Sequence, residues 1–213
     1  LDGTMVDTLP DLTNPLNEVL RERGYAPLAA AEVKPMIGDG MSMLLQRGFA
    51  ARGADAAEAA AVQARFIEVY EAGASNLSRP YPGVPETLAG LRARGYATAV
   101  CTNKPQHATA EVLHGMGLAD LFDGYAGGDR FAVRKPDPGH LLELVAALGG
   151  NAKRAAMIGD SENDALSARA AAIKLILMRY GYARIDPARL GADCVLDRFA
   201  ELPQALAALG LNP

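Results

Sequence analysis

The chain has 213 residues, a formal net charge of −4 at pH 7 and 50% hydrophobic residues, which is typical of a folded globular chain with a sizeable core. No basic stripe and no apolar run of roughly 18 residues occurs, so we expect neither a nucleic-acid nor a membrane partner. Cys101 and Cys194 lie in apolar, strand-like runs. Such cysteines indicate reduced core thiols and a cytoplasmic rather than extracellular protein.

The first elements in chain order are helices. Apolar residues recur at helical spacing over residues 12–20, with Asn14-Pro15 as the expected first turn. A second helix is predicted over residues 41–49 and a third after Asp55, which has the side chain of an N-cap. Because a structureless loop of this length is uncommon, we interpret residues 12–79 as an inserted helical module.

Strands alternate with helices after this module. The predicted strands are short and apolar, and they cover residues 96–101, 155–158, 174–178 and 194–196. Strands that alternate with helices pair in parallel, and helices cover both faces of the sheet. We therefore predict an α/β fold, a doubly wound parallel sheet formed by residues 1–11 and 80–213.

Four polar clusters fall where doubly wound sheets bind ligands, beyond the carboxyl ends of the strands. They are Asp2-Gly3-Thr4, Thr102-Asn103-Lys104, Lys135-Pro136-Asp137-Pro138 and the segment from Gly159 to Asp164. Two acidic turns supply oxygen ligands that suit Mg²⁺. Thr102 offers a hydroxyl and backbone N–H groups for phosphate oxygens, and Lys135 offers charge to a transferring phosphoryl group. A carboxylate nucleophile beside Mg²⁺ would complete a route through an aspartyl-phosphate.

Each cluster alone also has a purely structural explanation. Asp2-Gly3 is an ordinary turn, and Thr102 could cap the following helix. Lys135 could be a solvated loop lysine, and Asp160 with Asp164 could complement a helix dipole. Four such clusters at strand ends, in this order, are nevertheless difficult to produce by chance.

The order and the residues of the clusters resemble the sequence motifs of the haloacid dehalogenase superfamily, and the resemblance extends over nearly the whole chain. Asp2-Gly3-Thr4 looks like the end of its first motif, Asp-x-Asp-Gly-Thr. Thr102, Lys135 and the pair Asp160 and Asp164 look like its second, third and fourth motifs. The motif Thr-Asn-Lys-Pro around residue 103 is similar to the motif found in the phosphoglycolate phosphatase branch of that superfamily. The helical module is similar to the small α-helical cap of that family.

The resemblance implies a Mg²⁺-dependent phosphomonoesterase that acts through an aspartyl-phosphate on a small phosphorylated metabolite, with 2-phosphoglycolate as first expectation. It implies that Asp2 protonates the leaving group and then activates water, while its backbone carbonyl binds Mg²⁺. The attacking aspartate of the family stands two positions before Asp2. We therefore expect an aspartate immediately before Leu1, at the end of a first strand that precedes residue 1.

The resemblance also implies roles for the other motif residues. Thr102 and Asn103 would hold the phosphoryl oxygens, and Lys135 would neutralise the nucleophile and the phosphate. Asp160 would be a side-chain metal ligand, and Asp164 would orient Lys135 or a metal-bound water. At Ala172 the chain departs from the family, which usually has glycine there, and we expect little consequence.

Other functions remain open at this point. A phosphosugar mutase or a pyrophosphatase of the same family would share these motifs, because the cap sets specificity. Gly38-Asp39-Gly40 and Arg47 are candidates for substrate contact, although a turn and a solvated arginine are simpler interpretations. A non-catalytic phosphate-binding relative would lack the nucleophile. Receiver-type signalling domains carry similar residues but are shorter and lack the helical insert. We expect a monomer or homodimer whose cap closes over the site.

Overall fold

Five helices follow the first strand in the computed structural model, which describes residues 1–73 and 76–213. They are Leu9–Glu22 (α1), Ala30–Val33 (α2), Met41–Ala50 (α3), Ala56–Ala61 (α4) and Gln63–Glu71 (α5). Their shared core contains Leu16, Phe49 and Phe66, each fully buried. The helices therefore bury an apolar centre of their own, separate from the clusters around the parallel strands.

The boundaries of these helices correct one prediction and confirm another. The expected start of α1 at Asn14-Pro15 is wrong, because the helix begins at Leu9 and Pro15 lies inside it. The buried apolar face, with Leu12 and Leu16 on either side of Pro15, outweighs the cost of the proline. Asp55 caps α4 as predicted, and its carboxylate accepts a hydrogen bond from the Glu58 N–H at 2.9 Å.

A small antiparallel ribbon connects the two ends of the helical segment. Val6–Asp7 (β1) pairs with Arg79–Pro80 (β2). Next to it, the buried carboxylate of Asp11 accepts hydrogen bonds from the Ser78 N–H at 2.7 Å and the Ser78 hydroxyl at 2.6 Å. No strand is predicted here, because each strand has two residues and its partner is distant in the chain.

The remaining strands form two parallel sheets. Ala99–Cys101 (β3) pairs with Gly124–Ala126 (β4), and Ala156–Gly159 (β5), Lys174–Met178 (β6) and Cys194–Leu196 (β7) pair in the order β5-β6-β7. The helices between and around them are Val84–Ala93 (α6), Gln106–Gly115 (α7), Gly139–Ala147 (α8), Glu162–Ala170 (α9) and Leu202–Ala208 (α10). The predicted α/β class and the parallel pairing are confirmed.

Three strands differ from the prediction. The strand expected over residues 155–158 is shifted by one residue, to Ala156–Gly159. The strand expected over residues 96–101 begins only at Ala99, because the Thr98 N–H donates to the Asp123 carboxylate at 2.8 Å. Strand β4 was not predicted, since Gly-Tyr-Ala is too short to show a periodic pattern. The predicted strands over residues 174–178 and 194–196 have the observed bounds.

An apolar cavity of about 520 Å³ lies between the two sheets. Val100 and Cys101 of β3 line it, as do Met157 and Ile158 of β5, and Leu1 also contacts it. Among the described strands, β3 and β5 are not paired with each other. In the same part of the chain, no helix has both the length and the apolar character that a membrane crossing requires.

Candidate active site

The four polar clusters converge on one cavity of about 60 Å³. Every predicted site residue lines it, and these residues are Asp2, Thr102, Asn103, Lys135, Asp160 and Asp164. The opposite side is formed by the helical segment, through Ile37, Gly38, Gly40, Met41 and Leu44. The cavity thus has a charged floor and a largely apolar roof.

Lys135 and Asp164 form a buried ion pair on this floor. The Lys135 Nζ donates to Asp164 Oδ1 at 2.7 Å and to the Cys101 carbonyl at 2.6 Å. Burial favours the neutral form of each group, but the opposite charge outweighs it. The pKa of Asp164 is therefore lowered and the pKa of Lys135 is raised. Both groups carry their charges, and the ammonium is fixed in position.

The second oxygen of Asp164 organises the loop at the start of α9. It accepts hydrogen bonds from the Asp160 N–H at 3.0 Å, the Ser161 N–H at 3.0 Å and the Ser161 hydroxyl at 2.7 Å. An ionised carboxylate has about four acceptor positions. The bonds to Lys135 and to this loop use that capacity, so Asp164 acts here as a structural anchor.

Asp160 is as deeply buried as Asp164, and each is 3% exposed. Its carboxylate accepts hydrogen bonds from the Thr4 hydroxyl and, at 2.7 Å, from the Tyr182 N–H. A Cβ atom at Gly3 or at Gly181 would collide with it, which explains the small residues there. Burial, and then the nearby charge of Asp164, raise the pKa of Asp160 to about 6.

Asp2 is paired with a lysine to which the sequence analysis assigned no role. The Lys104 Nζ lies 3.2 Å from Asp2 Oδ1, and its side chain is 3% exposed. Burial would raise the pKa of Asp2, but the charge of Lys104 and the hydrogen bonds from Thr8 and Lys104 together lower it. The Tyr70 ring of α5 lies 5.0 Å from the same ammonium. One feature of the sequence could have identified Lys104, namely its position directly after Thr-Asn at the end of a strand. Residues at that position face the ligand-binding side of a parallel sheet.

Thr102 and Asn103 close the floor between these ion pairs. The Thr102 hydroxyl accepts a hydrogen bond from the Lys104 N–H at 3.2 Å, and Thr102 does not cap α7, which begins after Pro105. The Asn103 amide donates to the Lys135 carbonyl at 2.9 Å and to the Gly38 carbonyl at 3.1 Å. Its buried Oδ1 has no hydrogen-bond partner among the described residues.

The loop above the cavity is held by core side chains. Asn163 also donates to the Gly38 carbonyl, at 3.2 Å. Asp39 forms ion pairs with Arg47 and, at 3.0 Å, with Arg184. Gly38 therefore lies at the cavity, as considered from the sequence, whereas neither Asp39 nor Arg47 is among the residues that line it.

Tyr182 connects this site to the start of α1. Its hydroxyl accepts hydrogen bonds from the N–H groups of Thr8 at 3.0 Å and Leu9 at 3.1 Å, and it donates to Asp7 at 2.6 Å. Its own N–H binds Asp160. One residue thus fixes both the predicted metal ligand and the segment that leads into the helices.

Comparison with known proteins identifies the family of this chain. The family described as haloacid dehalogenase-like hydrolase matches residues 1–178. The phosphoglycolate phosphatase of Caulobacter vibrioides is 44% identical over 211 residues, covering 98% of this chain and 89% of that protein. The phosphoglycolate phosphatase of Rhodospirillum rubrum is 45% identical over 208 residues, covering 95% of this chain and 86% of that protein.

A solved structure gives the same result for the fold. The crystal structure of a predicted phosphoglycolate phosphatase from Haemophilus somnus matches with a TM-score of 0.91 and 32% identity, over 96% of this chain and 94% of that one. The α/β core with its charged cavity therefore belongs to a hydrolase, and the chain is a member of the haloacid dehalogenase-like hydrolase family. Within that family it is a phosphatase.

Proposed function

We propose that this phosphatase hydrolyses a small phosphomonoester with Mg²⁺, through an aspartyl-phosphate, and that 2-phosphoglycolate is the substrate. The observation that carries the proposal is the meeting of Asp2, Lys135 and Asp160 in one cavity of about 60 Å³. Relatives that cover almost the whole chain are named for this activity.

We expect a magnesium ion at Asp160, although the described residues contain no group of three or more His, Cys, Asp or Glu side chains placed to hold a metal. Asp2 and Asp164 each have a lysine partner, whereas Asp160 has no cationic partner among the described residues. Burial, and then the charge of Asp164, raise the pKa of Asp160, and a bound cation would lower it. Asp160 and the backbone carbonyl of Asp2 would hold the ion, with Asp164 supporting the loop. When bound, Mg²⁺ would supply positive charge to the phosphoryl oxygens.

The other floor residues would bind and orient the phosphoryl group. Lys135, fixed by Asp164, would neutralise charge on the nucleophile and the phosphate. Thr102 and Asn103 would hold phosphoryl oxygens through the hydroxyl and backbone N–H groups. Asp164 would act through Lys135, because its oxygens are already occupied by hydrogen bonds.

Asp2 would move the protons in both chemical steps. Asp2 must first take up a proton, which requires substrate binding to separate it from Lys104. In the first step, a carboxylate attacks phosphorus, the phosphorus–oxygen ester bond breaks, and Asp2 gives that proton to the leaving oxygen. In the second, Asp2 takes a proton from water, the water oxygen bonds to phosphorus, and the aspartyl–phosphate bond breaks. Asp2 is then protonated again, and the products are an alcohol and inorganic phosphate.

The attacking carboxylate remains an expectation for the position immediately before Leu1. The apolar cavity between β3 and β5, with Leu1 in contact with it, supports a strand at that place. Reading the encoding gene upstream of Leu1 tests this expectation. An aspartate after a short apolar run supports the mechanism, and another residue favours a phosphate-binding relative without turnover.

We further propose that residues 12–79 act as a cap over a core of residues 1–11 and 80–213. Ile37, Met41 and Leu44 cover the cavity, and Gly38 is bound by two core asparagines. Small-angle scattering with and without a phosphate analogue tests closure of the cap, and identical profiles would contradict it.

We also propose that the protein is cytoplasmic and that it is a monomer or a homodimer. The proposed cytoplasmic location rests on the free thiols of Cys101 and Cys194.

The activity test uses the full-length gene product. We expect hydrolysis of 2-phosphoglycolate and p-nitrophenyl phosphate with Mg²⁺, loss of both with EDTA and recovery with added Mg²⁺. Asp160→Asn should require more Mg²⁺, whereas Asp193→Asn, an exposed aspartate of the same chain, should not. Absence of turnover under all conditions contradicts the proposal. A preference for a phosphosugar or pyrophosphate in the same assay would support one of the alternatives.

A further inference from the structure

Two lysine ammonium groups lie among the residues that line the cavity, and they differ in how fully they are bound. Lys135 has two short hydrogen bonds, at 2.6 and 2.7 Å. Lys104 has long contacts to the two oxygens of Asp2, at 3.2 and 3.4 Å, and the Tyr70 phenol lies beside its ammonium. An ammonium has three N–H donors. Lys104 is therefore a buried cation at the cavity whose contacts to Asp2 are longer than those of Lys135, so a substrate anion can compete for its donors.

The roof of the cavity offers no competing buried cation in the described part of the chain. Ile37, Met41 and Leu44 contribute apolar side chains there. Arg47 and Arg184 form ion pairs with Asp39 outside the lining, and Arg134, which lies beside Gly40, is exposed. If Lys135 holds the phosphoryl group, a second anionic group of a substrate has Lys104 as its buried partner.

The position of Lys104 limits where that second anion lies. Asp2, which would protonate the leaving oxygen, is in direct contact with Lys104. The ammonium is thus on the leaving-group side of the cavity, beside the atoms that follow the ester oxygen. A cavity of about 60 Å³ leaves room there for a short group.

We infer that Lys104 is the residue that selects a substrate with a carboxylate separated from the ester oxygen by a single methylene. This inference rests on the proposed phosphatase function and deepens it. The phosphoryl end is held by Lys135, and the carboxylate end receives hydrogen bonds from Lys104 in place of its long contacts to Asp2. Charge-assisted hydrogen bonds of this kind, in a site with little water, discriminate strongly against an analogue that lacks the anion.

The test compares two substrates that differ in the carboxylate. The full-length enzyme is assayed with 2-phosphoglycolate and with ethyl phosphate, a two-carbon ester without the anion. Lys104→Met keeps the length and apolar stem of the side chain but removes the charge. We expect the ratio of kcat/KM values, 2-phosphoglycolate over ethyl phosphate, to fall about 10- to 100-fold. Lys34→Met, which removes a lysine outside the cavity lining, should leave the ratio unchanged.

The ratio separates recognition from other roles of Lys104. If Lys104 only positions Asp2, both substrates lose activity equally and the ratio stays constant, which overturns the inference. A second measurement needs no variant. Phosphonoacetate should inhibit the unmodified enzyme at least about 10-fold more strongly than ethylphosphonate, and equal inhibition overturns the inference.

Failure of the proposed function gives a different result. If the unmodified enzyme hydrolyses neither 2-phosphoglycolate nor ethyl phosphate with Mg²⁺, the phosphomonoesterase proposal itself fails. If it hydrolyses both with equal efficiency, the phosphatase proposal stands and the role of Lys104 is overturned. If it prefers 2-phosphoglycolate and Lys104→Met removes that preference, both proposals are supported.

Discussion

Ala172 has a backbone conformation that glycine adopts more easily. It follows the end of α9 with a φ of +54°, the one positive φ of a non-glycine residue in the described chain. The Ala172 N–H donates to the Arg169 carbonyl at 3.1 Å, and the Ile173 N–H donates to the Ala168 carbonyl at 2.9 Å. These two bonds form a Schellman motif, whose left-handed position usually holds glycine.

The size of the effect of Ala172→Gly follows from two opposing terms. A left-handed conformation costs an L-residue about 1–2 kcal/mol, and glycine removes that cost. Glycine also gains freedom in the unfolded chain, which costs about 0.4–1 kcal/mol. The Ala172 side chain is exposed, so little packing is lost. We expect the free energy of unfolding to rise by about 1 kcal/mol and the Tm by about 2–4 °C.

Urea unfolding of the variant measures this difference, with Ala171→Gly as the matched control. Ala171 is one position earlier, has a φ of −81° and is partly buried against the core. Glycine there relieves no strain and should lower the free energy of unfolding by about 0.5–1 kcal/mol. If Ala172→Gly is no more stable than the unmodified protein, or if both variants change alike, the strain at Ala172 is refuted.

Two further predictions concern hydrogen bonds away from the reacting groups. Tyr182→Phe removes the hydroxyl that binds Asp7 and two backbone N–H groups, and should lower the free energy of unfolding by about 1–3 kcal/mol in thermal unfolding. A change below about 0.5 kcal/mol would mean that water replaces these bonds. At Asp193, hydrogen bonds from Lys174 and from the Leu175 N–H lower the pKa of the carboxyl. This carboxylate therefore stabilises the fold at neutral pH, and the contribution disappears as the pH falls through the lowered pKa. The difference in free energy of unfolding between the unmodified protein and Asp193→Asn should become smaller as the pH falls from neutral toward about 3. An equal difference at neutral pH and at low pH contradicts this.

The fold class follows from local patterns, but several boundaries do not. Apolar periodicity and glycine ends identified β6, β7 and the alternation with helices, because buried strands and helices repeat these features locally. The start of α1, the ribbon of β1 and β2, and strand β4 depended on contacts between distant residues. Thr98 illustrates the reason, since a carboxylate from another segment takes its N–H and shortens β3.

The residues of the site were also visible in the sequence, because parallel strands deliver their carboxyl ends to one edge. Asp2, Thr102, Lys135 and Asp160 were identified by residue type and position alone. The sequence could not show how their charges are paired. Only the tertiary structure places Lys104 against Asp2, pairs Lys135 with Asp164 and leaves Asp160 without an ion-pair partner among the described residues. Those pairings depend on distances across the fold and on burial, which no local pattern encodes, and they decide which groups are free to meet a substrate.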